Sequence, residues 1–165
     1  MTAIAYEYPS DIAAIREGLA RFIKAEVMPR HHDNSERLEN PHHGRPPDGR
    51  YSPQVLALFK EIRQASARAG YYAMCAPESI GGQGLGHVAW FGGWEKIFHE
   101  CGGQYWLGQF MLSHWAFGPS PVLTKLSPEA RERYLGGLMS GQHSMCFGMS
   151  EPSAGSDAMM MQTQA

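Results

Sequence analysis

The spacing of apolar residues constrains this fold most, because it is helical along most of the chain and changes near the end. Up to residue 142, apolar residues recur every three or four positions in segments bounded by Pro or Gly, as in amphipathic helices. Between residues 144 and 150, Met145, Phe147 and Met149 instead alternate with other residues, as in a strand. The sequence therefore predicts a mainly all-α chain that ends in one strand and a turn.

Two predicted helices in the first half have clear start and stop signals. The first follows Ser10, a candidate N-cap, and should end near Met28 because Pro29 comes next. The second begins at Ser52-Pro53 and stops at Gly70. Each carries an apolar stripe, and we expect both to pack on one core.

Three more helices are predicted in the second half. Residues 87–101 contain Gly92 and Gly93, each of which costs a helix about 1 kcal/mol but lets another helix approach closely. Residues 104–117 are apolar on most faces and predict a buried helix. The last helix follows the capping residue Ser127, and its predicted inner stripe is Tyr134, Leu135, Leu138 and Met139.

Two segments between the helices invite a ligand-binding interpretation that their spacing does not support. Residues 31–50 are rich in His, Pro and Gly and predict a long surface loop. Their paired histidines lack Cys or carboxylate residues at ligand spacing, so no metal site is assigned. The glycines between Gly81 and Gly86 miss the dinucleotide-binding pattern, which favours a tight turn ahead of a helix.

Composition excludes several classes of function. Fourteen basic and sixteen acidic residues give a net charge of −2, and no clustered basic segment predicts nucleic-acid binding. No apolar run is long enough to span a bilayer, and the first residues do not resemble a signal peptide. The three cysteines are far apart and odd in number, which favours reduced thiols and a cytoplasmic protein.

The most elaborate turn lies near the end of the chain, in the sequence GMSEPSAGSD at residues 148–157. Ser150 brings a hydroxyl and an N–H, and Gly155 leaves room for a ligand to approach the backbone. Such a turn suits an anionic or strongly accepting ligand, such as a phosphate or a flavin edge. Taken alone this signal is weak, because turns of Ser, Gly and Asp are common.

With its neighbours, this turn resembles the signature of the acyl-CoA dehydrogenase family of flavoproteins. The segment APESIGGQGLG (76–86) is similar to the family's Pro-Glu-x-x-Gly-Gly-x-Gly sequence. Residues 126–152 are similar, in order and spacing, to the family segment that leads into the signature. The resemblance implies an N-terminal helical domain at residues 1–142. Residues 143–165 would then begin a middle β-barrel domain, so the chain is expected to be truncated.

The resemblance also implies a cofactor and its contacts. FAD would lie against Phe147, Met149 and Ser150, with Ser150 near the reactive flavin nitrogen. Gly155 and Ser156 would contact the FAD diphosphate or the CoA moiety of an acyl-CoA substrate. An electron-transfer partner and a homo-oligomer are implied for the full-length protein. Met160 and Ser153 depart from the usual family pattern.

The acyl cavity and the catalytic base are less defined. Gln109 and Ser113, one turn apart in the predicted fourth helix, are candidates to line the cavity, or are ordinary core polar residues. Family members usually take the base from the C-terminal bundle, so no catalytic residue is assigned and Glu151 is not taken as the base. The chain alone is expected to be inactive and to form no stable complex with FAD.

Two other functions fit the same sequence. One alternative is a naturally short helical module or gene remnant that acts through a protein partner. Related flavin oxidases and monooxygenases are similar in their N-terminal domains, and the residues that separate them lie mostly beyond Ala165. The abrupt end after the signature favours truncation, because exposed methionines and an unpaired strand promote aggregation unless they are covered.

Overall fold

A computed structural model describes residues 7–45 and 47–164 of the chain, without the side chain of residue 41. The structure is mainly helical, as predicted. The α-helices are α1 (Ser10–Phe22), α2 (Met28–Asp33), α3 (Ser35–Glu39), α4 (Pro41–Gly44), α5 (Pro53–Arg68), α6 (Gly86–Cys101), α7 (Pro128–Ala130) and α8 (Gly136–Met139). Two π-helical turns, Ile23–Val27 and Arg131–Leu135, join α1 to α2 and α7 to α8. Short 3₁₀ helices span Glu78–Ile80, Trp106–Phe110, Pro121–Lys125 and Ala158–Met160.

The main core lies where α1, α5 and α6 pack against the 3₁₀ helix Trp106–Phe110. The two predicted helix-approach glycines of α6 lie at this interface. A Cβ on Gly92 would come within 3.2 Å of Ile12 on α1, and one on Gly93 within 3.4 Å of Leu19 on the same helix. Arg16 on α1 donates to the Gly92 carbonyl at 2.6 Å and to Glu95 at 2.7 Å, which joins the two helices.

The signals that bound α5 are confirmed. Ser52 is the N-cap, and its hydroxyl accepts a hydrogen bond from the Val55 N–H at 3.4 Å. Pro53 is the first helical residue, and Gly70 follows the end of the helix with φ 84°. The predicted stripe is buried, at Val55, Leu58, Phe59 and Ile62.

A second, smaller core supports the end of the helical region. Ile80, Leu123 and Leu138 are buried together there. Gly141 follows α8 with φ 73°, and its carbonyl accepts from Arg63 on α5 at 3.2 Å. The point from which the terminal segment leaves the helices is therefore anchored to α5.

The first half differs from prediction around Pro29. The helix does not end near Met28, because the π-helical turn Ile23–Val27 precedes the proline and the Met28 N–H donates to the Ile23 carbonyl. This wider turn lets Pro29 occupy the first turn of α2, where a missing N–H costs little. The predicted surface loop at 31–50 is also wrong in part, since α2, α3 and α4 extend to Gly44.

The predicted helix over residues 104–117 is wrong. Only Trp106–Phe110 is helical, and it is a 3₁₀ helix followed by bends and turns. Contacts outside the segment hold its backbone: the Met111 carbonyl accepts from the Ser66 hydroxyl, and the Ser113 N–H donates to the Tyr72 carbonyl.

Two smaller predictions also fail. Tyr134 is exposed, whereas Leu138 of the same predicted stripe is buried. Residues 144–150 form no strand in the described structure, which contains one isolated β-bridge, between Glu151 and Ala154. A strand needs a neighbour to satisfy its backbone groups, and the described chain offers none to this segment.

The glycine-rich segment before α6 is the predicted tight turn. Gly81, Gly84 and Gly86 all have positive φ angles, and α6 begins at Gly86. Among residues 7–45 and 47–164, no helix combines the length and apolar character needed to cross a membrane.

Candidate functional site

A cavity of about 350 Å³ lies between the start of α6 and the chain around residues 113–121. It is mainly apolar, with a few hydroxyl, thiol and imidazole groups at its wall. The lining residues are Cys75, Gly86, His87, Trp90, Phe91, Ser113, Trp115, Pro119, Ser120 and Pro121. Apolar walls with a few polar groups are typical of small-molecule sites.

Ser113 is fixed in this wall through its backbone. Its N–H donates to the Tyr72 carbonyl at 2.8 Å, and its carbonyl accepts from the Trp90 indole at 3.3 Å. These two bonds connect the wall to α6 and to the segment after α5. The Ser113 side chain is buried.

The terminal segment reaches this cavity through one aromatic contact. The Phe147 ring meets the Trp115 ring edge-to-face with centroids 4.4 Å apart. Because Trp115 lines the cavity, Phe147 lies at its border. The structure therefore brings a residue of the predicted flavin-contacting segment close to the wall that contains Ser113.

The predicted turn after this segment is formed. The Glu151 N–H donates to the Ala154 carbonyl at 2.7 Å, and the Ala154 N–H donates back at 3.3 Å. The Glu151 carboxylate accepts from the Gln162 and Thr163 N–H groups at 2.9 and 2.8 Å. These bonds to Thr163 and Gln162 lower the pKa of Glu151, so its role here is to hold the turn closed.

The other predicted cofactor residues surround this turn and face open space. Ser150, Gly155 and Ser156 are exposed, while Met149 is half-buried. A Cβ on Gly155 would meet nothing within 4 Å. Within the described chain, the N–H groups of Ser150, Gly155 and Ser156 donate to no other group, which leaves them available to an accepting ligand.

Gln109 does not share the cavity of Ser113. It is exposed and lies in an adjoining aromatic cleft of about 520 Å³, together with His114 and Phe117. The cavity and the cleft meet at Trp90 and Phe91. The helical register that would have placed Gln109 and Ser113 on one face is absent, and their roles toward an acyl group stay predictions.

Two titratable groups of the cavity and cleft, Cys75 and His114, have pKa values that are shifted by burial. Burial raises the pKa of the Cys75 thiol to about 11, so it stays protonated. Burial also lowers the pKa of His114, whose Nδ1 accepts from the Ala116 N–H at 3.1 Å. The His114 imidazole stacks on Phe117 with centroids 4.9 Å apart. The wall is therefore suited to holding an apolar group.

Sequence reasoning did not identify several residues of this wall. Trp115, His87 and Ser120 belong to the cavity, and His114 and Phe117 belong to the cleft. One available signal was the prolines at 119 and 121, which interrupt regular helical structure. In the described residues, no group of three or more His, Cys, Asp or Glu side chains is arranged to hold a metal ion.

Comparison with known proteins identifies similar sequences. The family model described as acyl-CoA dehydrogenase, N-terminal domain, matches residues 9–142. A mitochondrial isovaleryl-CoA dehydrogenase of Solanum tuberosum is 26% identical over 150 residues, which cover 91% of this chain and 32% of that protein. A probable acyl-CoA dehydrogenase of Bacillus subtilis is 26% identical over 160 residues, 97% of this chain and 37% of that protein.

A third relative is a subunit of the caffeyl-CoA reductase–Etf complex of Acetobacterium woodii. It is 29% identical over 106 residues, 64% of this chain and 27% of that protein. The chain thus spans about a quarter to two fifths of the length of these relatives. No solved structure matches the chain significantly.

Proposed function

The chain belongs to the acyl-CoA dehydrogenase family, and we propose that it is the N-terminal part of an FAD-dependent enzyme that dehydrogenates acyl-CoA thioesters. Its helical region would form one wall of the acyl site, and its terminal segment would contribute to the flavin site. Residues 143–165 would begin the β-barrel domain. The observation that carries the proposal is the Phe147–Trp115 contact, because it joins the segment proposed to contact FAD to the apolar cavity.

The open turn fits the cofactor. Ser150, Gly155 and Ser156 present unused N–H groups, and Gly155 has free space on its Cα. We assign Phe147, Met149 and Ser150 to the flavin ring, and Gly155 and Ser156 to the diphosphate or CoA. Bound FAD supplies the acceptor for the hydride that leaves the β-carbon.

The residues of this chain would bind and orient rather than transfer protons. Trp115 and Phe147 would cover one side of the acyl group and exclude water. Glu151 is occupied by two backbone N–H groups, which supports assigning the base that removes the α-proton to a part of the protein outside this chain. The chain alone would then be inactive.

The wider assignments rest on the same family membership. We propose a cytoplasmic enzyme that passes electrons to a transfer partner and forms a homo-oligomer when full-length. The similarity to a subunit of a reductase–Etf complex supports the electron-transfer partner. The three free cysteines support a reducing compartment.

The first test is the intact mass of the protein in its native source. A product much larger than 18.3 kDa should then be purified and tested for a stoichiometric flavin absorbance band and acyl-CoA-dependent dye reduction. In that protein, Ser150→Ala should lower the dye-reduction rate, whereas Ser79→Ala, an exposed serine on another element, should not. A full-length product without bound flavin would contradict the proposal.

The second candidate function is a short helical module that acts through a protein partner. The exposed aromatic face of α6 favours it, since Phe91 is 64% and Phe98 54% exposed and large apolar patches mark interaction surfaces. A native product of 18.3 kDa would support this function over the first. Stoichiometric flavin co-purifying with the 165-residue chain would contradict the expectation that the isolated chain forms no stable FAD complex.

A further inference from the structure

A separate cavity of about 380 Å³ lies between residues 37–45, the start of α5 and the 3₁₀ helix Trp106–Phe110. It has no lining residue in common with the cavity around Ser113, and it touches the aromatic cleft through Gln109. The residues that line it are Arg37, Leu38, Asn40, Gly44, Arg45, Tyr51, Val55, Trp106, Gln109 and Phe110.

Aromatic rings provide a flat apolar surface in this cavity. Tyr51 and Trp106 are stacked, with an interplanar angle of 27° and centroids 6.2 Å apart. Phe59 packs against both rings edge-to-face and fixes their orientation, with centroids 5.0 Å from Tyr51 and 5.5 Å from Trp106. Flat rings that are held in place favour a flat ligand, because stacking adds to the gain from apolar burial.

Two guanidinium groups provide positive charge at the same cavity. In the described part of the chain, no carboxylate lies within 4.0 Å of Arg37 or Arg45. The nearby acids lie beside histidines instead, since a Glu36 carboxylate oxygen is 3.2 Å from His43 Nδ1 and a Glu39 oxygen is 3.7 Å from His31 Nε2. Both arginines therefore retain donors for an anion.

The backbone brings the two arginines to one place. A Cβ on Gly44 would lie 2.3 Å from the Arg37 carbonyl oxygen, so glycine permits this close return of the chain. The Gly44 carbonyl also accepts from the Ser52 N–H at 2.9 Å, which fastens the segment to the start of α5. Arg45 lies over the Tyr51 ring at 4.4 Å and donates to its hydroxyl.

We propose that this cavity binds a flat aromatic ring that carries an anionic group, a carboxylate or a phosphate. The ring packs against Trp106 and the part of Tyr51 that Arg45 leaves uncovered, and the anion accepts hydrogen bonds from Arg37 and Arg45. This cavity shares only Gln109 with the residues proposed to contact FAD or the acyl group.

Isothermal titration calorimetry of the 165-residue chain tests this proposal. The probes are 4-hydroxybenzoate for an aromatic carboxylate, AMP for an aromatic phosphate, inorganic phosphate for an anion without a ring, and adenosine for a ring without charge. We expect saturable binding of 4-hydroxybenzoate, AMP or both, weakened by added salt. Whichever anion binds more tightly identifies the source of the charge.

Variants separate the contributions of charge and ring. Arg37→Gln or Arg45→Gln should weaken binding about tenfold, as expected for a lost hydrogen bond to a charged group. Arg45→Lys should weaken it less, and Trp106→Leu should weaken both ring-bearing probes. Arg21→Gln is the control, because Arg21 is exposed on α1 and does not line the cavity.

The proposal has clear contradicting outcomes. Absence of saturable binding by both aromatic anions, in a chain with native near-ultraviolet circular dichroism, would overturn it. Inorganic phosphate binding as tightly as AMP, or adenosine binding as tightly as either anion, would also overturn it. The same holds if both arginine variants, folded by the same criterion, bind like the unmodified chain.

Discussion

At the scale of single residues, Gly82 shows how a sequence motif can have a purely steric reason. A Cβ at this position would lie 2.0 Å from the backbone oxygen of Ala76. Backbone atoms cannot move aside as the end of a flexible side chain can. The glycine at this position is therefore required by a close approach of the chain to itself.

We predict that Gly82→Ala lowers the free energy of unfolding by about 2 kcal/mol or more, within the range for severe local strain. Gly136→Ala is the matched control, because it lies in α8 with open space around its Cα and a helical conformation. That change should stabilise the chain by about 0.5–1 kcal/mol. Urea unfolding of both variants measures the difference, and equal stabilities would contradict the structure.

His31 gives a second residue-scale prediction because it is nearly inaccessible. It is 1% exposed, neither ring nitrogen makes a hydrogen bond within the described chain, and Glu39 lies 3.7 Å away. Burial lowers the pKa of His31 below its usual value of 6.5; Glu39 opposes this shift and His32 adds to it. Tyr105 contacts both histidine rings edge-on.

The sign of the pH effect follows from the lowered pKa. Below pH 6.5 the unfolded chain binds a proton that the folded chain resists, so stability falls as the pH decreases from about 7 until it passes the folded pKa. The contribution reaches at most about 1.4 kcal/mol per pH unit. His31→Phe should reduce this slope, measured by urea unfolding between pH 7 and 5. An unaltered slope in His31→Phe would refute the assignment.

At the scale of elements, the structure distinguishes two serines that look alike in sequence. Ser52 caps α5 with its hydroxyl, whereas α1 has Pro9 at the cap and Ser10 already in the helix without a capping bond. Ser52→Ala should therefore cost about 1 kcal/mol. Ser10→Ala should be neutral or slightly stabilising, because alanine is the better helix former. Thermal unfolding of the two variants measures these changes in stability. Equal losses of stability would be inconsistent with the observed caps.

The elements that could be predicted are those whose signals are local. Ser52, Pro53 and Gly70 define α5 without help from distant residues, and the glycine pair of α6 indicated a close helix contact that is confirmed. The segment at residues 104–117 is different. It is apolar on most faces, so it has no stripe that defines a helix. Hydrogen bonds from Ser66 and to Tyr72 hold its backbone in place.

Other misses have equally physical causes. The predicted helix end at Pro29 is wrong because a π-helical turn cannot be recognised from the spacing of apolar residues. The histidine-rich segment contains three short helices whose stability depends on packing, including the burial of His31. Of the candidate site, the turn at 151–154 was predicted, but the cavity around Ser113 required knowledge of how distant segments meet.

At the scale of the whole molecule, the helices are well packed and the terminal segment is not. Residues 144–150 lack a paired strand in the described structure, and most of them are exposed. Their backbone N–H groups therefore have little protection from solvent. In α5 and α6 the same groups are in helices that contribute buried residues to the main core.

Amide hydrogen exchange should distinguish the terminal segment of the 165-residue chain from its helices. We expect peptides from residues 144–150 to exchange within the shortest measurable time, while peptides from α5 and α6 exchange slowly. Adding the rest of a longer native protein, where one exists, should slow exchange in 144–150 specifically. Slow exchange of this segment in the 165-residue chain would mean that it has a partner, such as a second copy.

The contact between Phe147 and Trp115 has an optical consequence. The Trp115 indole packs edge-to-face against Phe147 at 4.4 Å and lies beside the His114 imidazole. It therefore has an asymmetric environment with restricted motion. Its near-ultraviolet circular dichroism and its emission depend on that contact. If residues 144–150 pair with further strands, or if a ligand separates the two rings, Trp115 reports the change without any added label, and Phe147→Ala provides the reference spectrum for the separated state.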